Sequence, residues 1–320
     1  MRALALLGPG IAGSDIAPFR LDGVELEVVS QAGPAEAALV FGGDGTVHRH
    51  LADLHTQQVP VLVVPAGSGN DFAHALGFRR REDALEAWRR FCGGGGNVRA
   101  IDLGCITPQR EDDSPRRTRS STAESRPQGP EDGDIRQSGS SAVPQSGHLF
   151  CCVGGAGLDS DANRRANQMP RWLRRRGGYM LAAALAILGK HPARMRAFAR
   201  GQEGEPQLDA DEAAEMVVFA NASSYGDGLV IAPGARLDDG RLDIIYVRRA
   251  SRLRLLRVAH RVLDGRHIEL PEVWFARTAE LSLTTEPAKP VYADGEYCCH
   301  TPVRVTVLPR SLRVIVPETR

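Results

Sequence analysis

Short apolar runs, glycine turns and helical stretches alternate along the first hundred residues. Arg2–Leu7, Val24–Val29, Ala38–Phe41 and Val61–Val64 are β-rich or wholly apolar over the length of a strand. Runs of that kind suit parallel strands buried on both faces. Thr46–Gln57 and Asn70–Leu76 follow two of these runs and predict helices. Glu82–Phe91 predicts a third helix, closed by the glycines 93–96, and Val98–Leu103 predicts another strand. The alternation predicts an α/β layer over residues 1–106, Rossmann-like or phosphofructokinase-like.

The pattern stops at Thr107. Residues 107–147 mix both charges with Ser, Pro and Gly and lack apolar periodicity, so they cannot bury enough surface to offset their ordering entropy. A disordered insertion is the expectation there. Residues 148–320 then read mostly as strands: Leu149–Val153, Glu215–Ala220, Leu242–Val247, Ala279–Thr284, Val303–Leu308 and Leu312–Val316. Asp239-Gly240 and Asp294-Gly295 are turn signals between them, and Gly178–Leu188 and Ser251–Leu263 predict inserted helices. The second half is expected to be a β-sandwich.

The length of 320 residues agrees with two domains. With 40 Lys and Arg against 39 Asp and Glu, the net charge of +1 excludes a generally basic nucleic-acid binder. Aromatic residues make up 5%, too few for a stacking platform on single strands. Six cysteines include two adjacent pairs and no C-x-x-C spacing. Neighbours in a strand face opposite ways, so these cysteines are read as packing residues of a reducing, cytoplasmic protein. The opening MRALALLGPG is too brief for a signal peptide, and no apolar run reaches membrane-spanning length.

The candidate chemistry begins where an apolar strand runs into Gly42-Gly43-Asp44-Gly45-Thr46 and then a helix. Glycines let the backbone approach a ligand closely, successive N–H groups can cradle phosphate oxygens, and the helix N-terminus adds positive partial charge. Thr46 could cap that helix or donate to phosphate, and Asp44 could hold Mg²⁺ beside it. A single turn of this kind equally fits a plain connection with Asp44 as turn former. Val61-Leu-Val-Val-Pro-Ala-Gly67-Ser68-Gly69-Asn70 repeats the arrangement. Two such loops at the C-terminal ends of parallel strands would flank one crevice. Neither is GxxxxGK[ST], and neither is a well-placed dinucleotide fingerprint.

GGDGT before a helix, followed by P-A-G-S-G-N-D-F, resembles the diacylglycerol kinase catalytic-domain family, which includes bacterial lipid kinases and sphingosine and ceramide kinases. Ile101-Asp-Leu-Gly104, Phe150–Asp159, Asn221, the glycine-rich Gly226–Gly240 with Leu242-Asp243, and Ala293-Asp294-Gly295-Glu296 are similar to later family motifs, in order. The resemblance implies a nucleotide phosphate site at Gly43, Asp44, Gly45, Thr46 and Ser68, with Gly42, Gly67 and Asn70 beside it. It implies that Asp294 accepts the proton of a lipid hydroxyl and that Glu296 shares its turn. Read alone, Asp294 is first a hairpin turn residue. The resemblance also implies a structural Mg²⁺ at Asp239 with backbone groups of Arg236 and Arg241.

Three departures stand out. His48 and Arg49 replace the usual Asn and Glu after GGDGT, the N-terminal loop is reduced to Gly8-Pro9-Gly10, and the spacing between the first three strands leaves little room for crossover helices. Arg164, Arg165, Arg171, Arg174, Arg175 and Arg176 surround Met169, Trp172 and Leu173, a composition suited to an anionic membrane surface. The expectation is an ATP- and Mg²⁺-dependent lipid kinase, cytoplasmic and peripheral at the inner membrane surface, with strand edges that would allow a homodimer and no nucleic-acid partner. The acceptor stays open among diacylglycerol, a sphingoid base and an isoprenoid alcohol. The alternatives are a kinase of a soluble acceptor, NAD kinase-like, and a non-catalytic nucleotide- or lipid-binding module.

Overall fold

The computed structural model describes residues 1–67, 69–110, 146–170, 178–189, 191–200, 207–226 and 228–318. Four parallel strands open the chain: β1 (Arg2–Leu7), β2 (Glu25–Val29), β3 (Ala37–Gly42) and β4 (Val61–Pro65), in the order β2-β1-β3-β4. Every residue of β3 and β4 is buried, which is why these runs are apolar without alternation. The longer helices here are α2 (Asp44–Gln57) and α4 (Arg81–Cys92). Trp88 of α4 is fully buried and donates its indole N–H to Phe19 O at 2.9 Å. The short early connections carry little helix. A single turn, α1 (Gly13–Ile16), and a 3-10 turn (Ala17–Phe19) lie between β1 and β2, and residues 30–36 join β2 to β3 without one.

The second half is antiparallel and packs around its own apolar cluster, which includes Val217, Phe219, Ile244, Tyr246, Leu283 and Val305. Its axis is β9 (Leu208–Ala220). The first part of β9 pairs with β8 (Ala193–Ala199), and the rest lies between β7 (Val153–Gly157) and β10 (Leu242–Arg248). β11 (Val273–Thr278) borders β10, β12 (Glu280–Glu286) borders β8, and the hairpin β13 (Pro290–Ala293)–β14 (Glu296–His300) joins through β13 to β7. Helices α5 (Leu158–Gln168), α6 (Tyr179–Leu188) and α7 (Arg252–Val258) complete this half.

Two long strands connect the halves. β5 (Val98–Pro108) and β15 (Val303–Ile315) pair antiparallel from Val303↔Pro108 to Ile315↔Val98. Near its start β15 also pairs with β12, and near its end Val314 pairs parallel with Val61 of β4. Asp102 on β5 fastens the crossing. Its carboxylate accepts N–H bonds from Gly240 (2.6 Å) and Arg310 (2.8 Å) although the residue is 1% exposed. Asn221 donates to the Asp102 and Cys151 carbonyls at 3.0 and 2.9 Å.

Several boundaries differ from the sequence pattern. Thr107 and Pro108 extend β5 because they pair with Arg304 and Val303; residues 111–145 of the expected insertion lie outside the described residues. The run Leu149–Val153 is divided into β6 (His148–Phe150) and β7 at Cys151-Cys152, whose N–H groups turn away from the sheet. The two runs after Val303 form one strand with an irregularity around Pro309 and Arg310. All six cysteines are free thiols, four of them buried. Asp102→Ala would remove the acceptor of two part-buried N–H donors and leave a gap where a buried carboxylate stood, so we expect urea unfolding to show a loss of roughly 1–3 kcal/mol.

Candidate active site

The two glycine loops meet backbone to backbone. A Cβ on Gly43 would lie 2.8 Å from the Gly67 Cα, and one on Gly67 would be closer still to Gly43, so neither position tolerates a side chain without movement. Ala66 N–H donates to Gly42 O at 3.0 Å across the same contact. Gly43 caps α2 with an extended backbone. Asn70, in the left-handed region at φ 59°, folds its amide onto Gly67, accepting from Gly67 N–H at 2.7 Å and donating to Gly67 O at 3.2 Å. Asp44 accepts from the N–H groups of Asp71 and Phe72, both at 3.0 Å, and so caps α3 (Asp71–Ala75). Burial raises the Asp44 pKa against those two bonds, and nearby Asp294 adds to the rise. Thr46 is buried under Gly8 and Gly42. Asp44 and Asn70 therefore hold the loops in shape. Ser68 lies outside the described residues.

The second half supplies the facing wall. Asp294 sits in the β13–β14 turn at φ 48° and is lashed to the bend after β6. Its Oδ2 accepts from Cys151 N–H (2.7 Å), and its Oδ1 accepts from Cys152 (2.9 Å) and Val153 (3.2 Å). Glu296 reaches across so that its Oε1 would be 3.1 Å from a Cβ on Gly45, at the start of α2. Both carboxylates line a cleft of about 530 Å³ with Gly8, Gly43, Asp44, Gly67 and Arg49. The structure thus brings together Gly42, Gly43, Asp44, Gly45, Thr46, Gly67, Asp294 and Glu296 around one space. Asn70 stands just behind it, and Asp239, Arg236 and Arg241 are elsewhere.

Residues 15–106 match the family model of the diacylglycerol kinase catalytic domain, and residues 152–316 match that of the YegS C-terminal NAD kinase beta sandwich-like domain. A diacylglycerol kinase of Mycobacterium tuberculosis is 31% identical over 303 residues, covering 93% of this chain and 82% of that protein. The chain belongs to the diacylglycerol kinase family of lipid kinases. A diacylglycerol kinase of Bacillus subtilis is 24% identical over 288 residues, covering 88% of this chain and 78% of its own length. The crystal structure of a diacylglycerol kinase from Bacillus anthracis shares the fold, with a TM-score of 0.64 at 18% identity over 99% of this chain and 97% of the other.

In this kinase Asp239 accepts from Arg241 N–H at 3.1 Å. Burial raises its pKa, with Asp102 adding to the rise and the Arg241 N–H opposing it. A cation would relieve that setting. The Arg236 side chain turns to Asp238 at 3.4 Å, leaving its backbone for any metal. Among the described residues no three His, Cys, Asp or Glu side chains converge on a metal position.

A second, apolar cavity of about 130 Å³ adjoins the cleft, with Tyr179 and Tyr225 in the walls of both. Tyr225 donates to Asp159 Oδ1 at 2.5 Å, and Tyr179 Oη lies 3.1 Å from the same oxygen. Burial raises the Asp159 pKa against these bonds and pushes both phenols well above their ordinary value. Sequence reasoning did not single out these tyrosines or Asp71, whose carboxylate accepts from Gly226 N–H at 2.6 Å. The N-D-F motif contained Asp71, but lone tyrosines far apart in sequence carried no signal.

His48, one turn into α2, places its Nδ1 4.0 Å from Asp294 Oδ2, and that buried nitrogen has no hydrogen-bond partner. Burial opposes its charge, but Asp294 and Glu296 outweigh it, so its pKa is raised from 6.5. A raised histidine stabilises the fold fully below the unfolded value of about 6.5 and loses that contribution as pH rises through the folded value. The Tm difference between wild type and His48→Gln should therefore be larger at about pH 5.5 than at about pH 8.5. For the cradle, Gly67→Ala should weaken ATP binding by roughly tenfold or more in titration calorimetry, about 1.4 kcal/mol. Gly13→Ala, whose Cβ would meet nothing within 4 Å, should leave it unchanged.

Proposed function

We propose that this lipid kinase moves the γ-phosphoryl group of ATP to the hydroxyl of a diacylglycerol or sphingoid-like acceptor, with the nucleotide phosphates on the Gly43–Thr46 and Gly67–Asn70 loops. The observation that carries this reading is the shared wall between the polar cleft and the apolar cavity. Phosphates fit the glycine cradle, a hydrocarbon tail fits the cavity, and the boundary between them is where a lipid hydroxyl would sit. An NAD-like acceptor would have no use for the apolar side.

The acceptor oxygen attacks the γ-phosphorus in line, the bond to ADP breaks, and the hydroxyl proton passes to the Asp294 carboxylate. Three backbone N–H groups fix that carboxylate in place, so it needs no reorganisation to act. Glu296 and His48 flank it and set the local charge. Mg²⁺ bound with the nucleotide would neutralise charge developing on the phosphates, and Asp239 with backbone groups of Arg236 and Arg241 would hold a structural ion.

Asp294→Asn tests the base. An amide there also sets an NH₂ group against an N–H donor, so a stability loss of roughly 1–3 kcal/mol should accompany it. Below the variant's melting range, ADP release with dispersed diacylglycerol or sphingoid base should fall by about a thousandfold or more, within reach of general-base and positioning effects. ATP binding should persist. Normal turnover would remove Asp294 from the reaction, and ADP release only with soluble alcohols would reject the lipid acceptor.

A further inference from the structure

The outer surface of the helices walling the apolar cavity is itself apolar. Among the described residues, eight large hydrophobic side chains stand out as exposed, and six are leucines on these elements: Leu181, Leu185, Leu188, Leu253, Leu256 and Leu263. Leu253 is 66% exposed and Leu263 55%. On α6 the three leucines recur at i, i+4 and i+7, one helical face. After Ser251, α7 and the following 3-10 turn (Ala259–Leu263) present Leu253, Leu256 and Leu263 outward. The same stretch turns Leu255, Val258, Ala259 and Val262 inward to line the cavity. α6 likewise gives Met180, Ala183 and Ile187 to that lining. Each element is thus apolar on two sides, although packing against the core requires only one.

The charges bordering this ridge are basic. Arg252, Arg257 and His260 are exposed and Arg261 is half-buried. Of the nearby acids, Glu272 is paired with Arg254 and Asp264 with Arg266, and Glu269 is exposed on the next turn against these basic groups. A two-fold contact with a second copy would press these arginines against each other. An anionic bilayer would neutralise them while covering the leucines. Neither helix is long enough to cross a membrane, so the pair would lie in the interfacial plane.

We infer that the leucine ridge of α6 and residues 252–263 is a docking surface for an anionic lipid bilayer. Seated there, the kinase would have the walls of its apolar cavity against the membrane, and an acceptor could enter between the two helices without crossing bulk water. The inference builds on the lipid-acceptor reading, but its test needs no turnover.

The experiment is co-sedimentation of the full chain with vesicles of phosphatidylglycerol and phosphatidylcholine. Binding should be strong and fall with added salt. The pairs Leu253→Ser with Leu256→Ser, and Leu185→Ser with Leu188→Ser, should each weaken it by roughly tenfold or more. Arg257→Ala with Arg261→Ala should weaken it less and flatten the salt dependence. Since the arginine pair removes no apolar side chain, with Arg257 exposed and Arg261 half-buried, it keeps the test valid if a leucine pair fails to fold. ADP release from a monomeric short-chain acceptor should be unchanged in all three. Unaltered vesicle binding in the variants would overturn the inference. So would a wild-type dimer that the leucine substitutions split without affecting vesicles, since the ridge would then be a subunit interface. If instead the acceptor reading is wrong, vesicle binding survives while dispersed lipids release no ADP.

Discussion

Two glycine backbones touching at Gly43 and Gly67 set the geometry on which the site depends. Each belongs to a loop at the C-terminal end of a parallel strand, and β3 and β4 are neighbours, so the sheet delivers the loops side by side. The contact closes only because both residues lack a Cβ. Its closeness sets both loops along the wall of one crevice, which neither loop could form alone. The shape of this crevice is therefore first a matter of backbone approach and only then one of side-chain chemistry.

Three aspartates hold the loops and crossings of the fold by the same device. Asp44 caps α3, Asp102 fastens the β5–β15 crossing, and Asp294 gathers the N–H groups of Cys151, Cys152 and Val153. In each case a carboxylate with little exposure satisfies donors that a turn has left without strand partners. Of the three, Asp102 is the one that ties the halves together, by charge-assisted bonds to Gly240 and Arg310; Asp44 and Asp294 shape loops within their own half. Asp294 serves the fold and faces the cleft at once, so its chemistry cannot be altered without touching the architecture.

The α/β half was largely legible in the sequence, because strands buried on both faces write themselves as unbroken apolar runs and the helices after them begin at glycine. The second half was less so. Ala193–Ala199 alternates Ala and Met with Arg, and the arginines hid a strand whose other face is fully buried. The β13–β14 hairpin is too short and too polar to announce itself beyond its Asp-Gly turn. Leu149–Val153 looked continuous, and only the demand of Asp294 for N–H donors breaks it. Among site residues, those clustered around glycines were readable from spacing. Tyr179, Tyr225 and Asp159 come together only through tertiary packing, and the apolar cavity they border is built from three helices that no local pattern relates.

The return of β15 to the first sheet bears on how the protein is made. Val314 pairs with Val61, and Leu312–Ile315 pair with Val98–Ile101, so the first sheet borrows an edge from residues synthesised roughly two hundred positions later. On the ribosome the early strands can collapse, but they cannot reach their final pairing until almost the whole chain has emerged. The first half is thus an incomplete folding unit, and cutting the gene at the apparent boundary would yield two fragments that must find each other before either is native.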